Sequence, residues 1–82
     1  MDALLLRARV YVDLGRYEDA LVDLDRVIAI SPRNVPAHAG KAVAYAHRGQ
    51  DVQAREAARR AANLGADREA LDKAIEEIKQ RR

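Results

Sequence analysis

Few side chains in this 82-residue chain are equipped for chemistry, and their spacing works against it. The two imidazoles, His38 and His47, stand nine residues apart, not at the i, i+4 spacing that sets two metal ligands on one helix face. Cysteine and threonine are absent, and the sole serine, Ser31, sits in a turn before Pro32, so no nucleophile has a base beside it. The carboxylates alternate with arginines as they do on solvated helix faces and form no evident acid/base pair. Gly15, Gly40, Gly49 and Gly65 are too dispersed to make a phosphate-cradling loop. This inventory points away from an enzyme and implies no metal and no cofactor. His38 and His47 read as packing and interface residues.

What such a chain offers instead is surface, which depends on the elements that carry it. Hydrophobic residues make up 49 % of the chain, sufficient for one small domain near the lower size limit for a single core. The only aromatic residues are three tyrosines, and the abundance of Ala, Leu and Arg favours helix over strand. No apolar run reaches the roughly 18 residues of a membrane span. Arg7 and Arg9 break the apolar opening segment, which therefore reads as mature structure and not as a signal core. A formal net charge of +2 is too balanced to imply nucleic acid by itself. The cytoplasm is the default compartment.

Apolar spacing predicts five helices, over Asp2–Leu14, Tyr17–Ile30, Asn34 to Arg48, Asp51–Leu64 and from Asp67 to the C-terminus. Gly15, Gly49 and Gly65 stop the first, third and fourth, Ser31-Pro32 stops the second, and Asn34 and Asp67 stand ready as N-caps. Connections this short make each helix antiparallel to the last. The pattern repeats with a period of 34 residues and no gap: Tyr11 falls on Tyr45, Gly15 on Gly49, Ala20 on Ala54, Val27 on Ala61 and Ile30 on Leu64. Small residues at Ala8, Ala20, Ala42, Ala54 and Ala61 allow two helix axes to approach closely, with tyrosines filling the gaps beside them.

These residues resemble the tetratricopeptide repeat. Ala8, Tyr11, Gly15, Tyr17, Ala20, Leu24, Val27 and Pro32 match its pattern in the first unit, as do Ala42, Tyr45, Gly49, Ala54 and Ala61 in the second, while Asp51, Ala58 and Ala66 depart from it. The resemblance implies an all-α, α-solenoid fold of antiparallel helix pairs with five helices: repeats at 1–34 and 35–68, and a capping helix at 69–82. Leu4 and His38 stand where the family prefers Trp, and Arg7 and Lys41 where it prefers Leu. Packing inside each unit is therefore expected to be thin.

In proteins of that family the first helix of each unit lines a concave groove that holds a peptide or a partner's helix. The resemblance places Leu5, Arg9, Val12 and Asp13 on that surface from the first unit, Val43 and His47 from the second, and Lys73 and Glu77 from the last helix, over an apolar floor that also includes Ala39 and Ala46. Leu5, Arg9, Gly40, Ala70 and Ala74 stand where a clamp for acidic C-terminal tails would need its lysines, asparagines and arginine, and only Arg9 suits. An apolar or amphipathic protein segment fits better. The first helix is apolar almost all round, which leaves three occupants open for its outer face: a preceding repeat, another copy of the chain, or a ligand. The alternative function is an RNA-binding helical repeat using Arg48, Arg55, Arg59, Arg60 and Arg68, against which the scarcity of aromatics and the acidic second helix stand.

Overall fold

The computed structural model describes residues 2–82, which form five helices: α1 Asp2–Asp13, α2 Tyr17–Ile30, α3 Val35–His47, α4 Asp51–Asn63 and α5 Arg68–Arg81. Three of them end one residue before Leu14, Arg48 and Leu64, the ends expected from the apolar pattern, because the terminating turn begins earlier. Gly15 and Gly49 adopt φ of 76° and 77°, a left-handed conformation that disfavours any side chain. That geometry swings the next amide back onto the helix. Arg16 N donates to Tyr11 O at 2.8 Å and Gln50 N to Tyr45 O at 2.9 Å, each satisfying a carbonyl the helix leaves open. At the other ends, Asn34 Oδ1 accepts from Ala37 N at 2.9 Å and Asp67 Oδ1 from Ala70 N at 3.2 Å, so both caps anticipated from sequence form.

Helices α1 and α2 form one antiparallel pair and α3 and α4 another, with α3 also packed on both α1 and α2, and α5 on both α3 and α4. Helix α3 is consequently surrounded. Its alanines at 37, 42, 44 and 46 are fully buried, and their small size is what lets four neighbours approach one helix. The first core gathers Ala8, Ala20, Leu24, Val27 and Ala37 with Leu4, Tyr11 and Ile28; the second gathers Ala42, Ala46, Ala54, Ala57, Ala58 and Ile75 with Tyr45, Leu71 and Ile78. Ala46 thus lies in the second core and not on the floor of a groove, where the family pattern placed it.

Arg7 is half-exposed and joins neither core, but its Nε and Nη2 donate to both oxygens of Asp23 at 2.7 and 2.6 Å, and Asp23 is only 1 % exposed. A planar guanidinium matching a carboxylate in two parallel bonds ties α1 to α2 at the position where the family prefers Leu. Lys41 likewise reaches Asp25 at 2.8 Å. Asp23, one of the carboxylates whose spacing suggested a solvated helix face, is therefore an internal residue. The hydrogen bond and charge of Arg7 hold its carboxyl below the usual carboxylate range, against the opposing effect of burial.

Candidate functional site

A concavity lies between α1 and α3. It is an open groove of about 500 Å³ lined by Leu5, Leu6, Ala8, Arg9 and Val12 from α1, Leu24 from α2, and Pro36, Ala39, Gly40 and Val43 from α3. The local sequence explains why the groove exists. Helix α3 faces it with Pro36, Ala39 and Gly40, whose small side chains leave room that Leu5 and Val12 do not fill. At the bottom, Leu24 enters between the two helices because Gly40 has no Cβ: one built there would stand 3.2 Å from both methyl carbons of Leu24. The lining is almost wholly apolar. Arg9 is its one charged residue, exposed at the rim and engaged in no ion pair among the described residues.

Of the residues assigned to this face from sequence, Leu5, Arg9, Val12 and Val43 come together around the groove. Asp13 is exposed at the end of α1, and Lys73 and Glu77 lie on the exposed side of α5, none of them lining it. His47 turns away to stack on Tyr17, with ring centroids 4.7 Å apart and planes inclined by 7°. Burial there lowers its pKa below the ordinary imidazole value. His38 is buried, and its Nε2 donates to Pro32 O at 2.9 Å; since a carbonyl only accepts, the proton must sit on Nε2. Both histidines are thereby occupied in packing. Ala8, Leu24 and Gly40 were not assigned to the site from sequence. The signal available for them was that Gly40, not alanine, stands one helical turn from Pro36 on a helix otherwise rich in alanine.

A smaller polar cleft of about 80 Å³ opens on the opposite side of α3, lined by His38, Lys41, Tyr45, Gln53, Glu56, Ala57 and Arg60. Of the arginines considered for nucleic acid, Arg48 pairs with Glu18 at 3.0 Å and Arg68 with Asp72 at 3.0 Å. Arg55, Arg59 and Arg60 are exposed on α4. Among the described residues no three His, Asp or Glu side chains gather as a metal site, and no helix is long and apolar enough to cross a membrane.

The paired helices, the left-handed glycines one repeat apart and the groove along the first helix of each pair are the geometry expected of the family named from sequence. A family model of the tetratricopeptide repeat matches residues 11–78. The chain belongs to the tetratricopeptide repeat family. Tetratricopeptide repeats generally mediate contacts between proteins and typically act as non-catalytic scaffolds. The match runs from Tyr11 in α1 to Ile78 in α5, so it takes in the last turn of α1, all of α2, α3 and α4, and most of α5. No curated protein and no solved structure matches the chain.

Proposed function

We propose that this tetratricopeptide repeat chain is a non-catalytic interaction module that seats an apolar or amphipathic segment of a partner protein in the α1/α3 groove. Residues 1–34 and 35–68 are the two repeats and 69–82 the cap in this reading, and the cytoplasm remains the default compartment. One observation carries it: an open groove of about 500 Å³ in which nine of ten lining residues are apolar or glycine and the tenth is Arg9. A branched or aromatic side chain of the partner fits over Gly40 and Leu24, between Leu5 and Val12 on one wall and Ala39 and Val43 on the other. Arg9 at the rim favours an acidic residue beside that anchor. Asp13, His47, Lys73 and Glu77 lie outside the groove and reach only a longer ligand.

A panel of fluorescent amphipathic peptides, titrated by polarisation, tests the reading. Binding that changes little with salt and is lost in Val43→Glu supports it, since a charge on the groove wall would have to be buried by the ligand. Binding unaffected by Val43→Glu refutes it. The exposed Arg55, Arg59 and Arg60 on α4 favour the second reading, RNA, whose mark is a steep fall of affinity with salt and loss of binding on neutralising those three arginines.

A further inference from the structure

The outer stripe of α1 belongs to neither core, and of its members only Leu6 borders the groove. Leu6, Val10 and Leu14 are 66 %, 47 % and 66 % exposed, and Ala3 completes a line at helical spacing on the side of α1 opposite Ala8. The internal repeat tells what such positions do elsewhere in this molecule. One repeat later, Ala3, Leu6 and Val10 become Ala37, Gly40 and Ala44 of α3: the two alanines are fully buried and Gly40 lies against Leu24. Two repeats later they become Leu71, Ala74 and Ile78 of α5, where Leu71 and Ile78 pack on the second core. The positions that α1 leaves open are thus the ones that form the interface between units twice in the same fold.

A second copy cannot cover the stripe by stacking its C-terminal end there, because α5 already fills the seat on α3 and α4 and faces outward with Glu69, Asp72, Lys73 and Glu76. It can offer the same stripe. Along one side of that stripe stand Arg9 and Asp13, a helical turn apart, both exposed and in no ion pair among the described residues. On the other side Arg7 is already engaged by Asp23. Two α1 helices laid antiparallel about a two-fold axis near Val10 bring like sides together. Leu6 then meets the second copy's Leu14, Val10 meets its symmetry mate, and Arg9 meets the second copy's Asp13, twice by symmetry.

We propose that the chain forms a two-fold dimer through antiparallel packing of its α1 helices, with Leu6, Val10 and Leu14 as the apolar seam and Arg9 and Asp13 setting the register. One helix about 18 Å long offers less than the roughly 800 Å² per partner of a standard interface, so the association is weak and reversible.

Sedimentation velocity on the whole chain, from micromolar to millimolar concentration, tests it. The mass is expected to rise from one chain to two. Val10→Glu is expected to remain monomeric with unchanged far-ultraviolet circular dichroism, because Val10 is exposed and lines no part of the groove; peptide binding in the groove persists in this variant, which separates the two proposals. Arg9→Glu and Asp13→Arg are each expected to weaken the dimer about fivefold at low salt, and the two together to restore it. A single-chain mass at every concentration overturns the proposal, as does a dimer that Val10→Glu leaves intact or that the double charge exchange fails to restore.

Discussion

The two terminal helices, α1 and α5, each bury one face and expose the other, yet their exposed faces are opposite in character. Helix α1 presents Leu6 and Val10 to solvent, and the turn that ends it Leu14, whereas α5 presents Glu69, Asp72, Lys73, Glu76 and Glu77. Each is also pinned by an arginine. Arg7 holds α1 to Asp23 of α2; Arg82, just past α5, donates to Ala46 O at 2.9 Å and to Asp51 Oδ2 at 3.0 Å, and so closes the end of α3 and the start of α4. One buried face and a polar anchor hold each terminal helix here. The character of the other face is then free to serve recognition, and only α1 uses that freedom for apolar side chains.

The largest effect expected concerns α5. Its Leu71, Ile75 and Ile78 pack on the second core, whose remaining buried members are all alanine; burying Ile75 contributes about 1.5 to 3 kcal/mol, and the half-buried Leu71 and Ile78 less each, against a domain total of about 5 to 15. A chain ending at Ala66 is expected to lose its cooperative thermal transition by circular dichroism, and a cooperative melt in that fragment breaks the account of α5. A pair of single substitutions then compares the two helices directly. Ile75→Ala is expected to cost about 3 kcal/mol, while Val10→Ala, at a concentration where the chain is monomeric, changes stability by less than about 0.5 kcal/mol. Urea titrations showing equal losses would mean that the α1 stripe is not idle in the monomer.

The two anchors are compared by pH. The hydrogen bond and charge of Arg7 lower the pKa of Asp23, and those of Arg82 lower that of Asp51, against burial in both cases. A carboxyl whose folded pKa is depressed contributes stability that is complete above its unfolded pKa of about 4 and is lost as the pH falls through the lower folded value. Melting temperature is therefore expected to hold steady from neutrality to about pH 5 and to decline below about pH 4. Asp23→Ala is expected to cost about 2 kcal/mol at neutral pH and to shallow the acid decline; Arg82→Ala, whose carboxylate partner Asp51 is more exposed than Asp23, is expected to cost less. An acid decline equally steep in Asp23→Ala would remove the ion pair from the explanation. The smallest effect expected is a difference between two glycines that share a left-handed conformation. Gly15→Ala is expected to cost about 1 kcal/mol, and Gly49→Ala more, because an added Cβ meets nothing at Gly15 but stands 3.2 Å from Arg82 Nη1 at Gly49. Equal costs would show that the Arg82 anchor yields freely.

The sequence by itself determined the number, order and near-limits of the helices, their caps and turns, and the family. These follow from interactions within a few residues: Asn34 and Asp67 bond amides three positions on, and Gly15 and Gly49 supply the one backbone conformation that ends a helix this way. The groove was legible in part, since helical spacing alone sets Leu5, Arg9 and Val12 on one side of α1. Tertiary structure decided what each side chain meets across a helix crossing. It buried Asp23 with Arg7, drew His47 onto Tyr17, sank Ala46 into the second core and brought Leu24 up to the groove beneath Gly40. The physical reason is that spacing along a helix sets the direction in which a side chain points, whereas its surroundings depend on the distance and angle between axes. Those are settled by the whole set of small residues packed at once around α3.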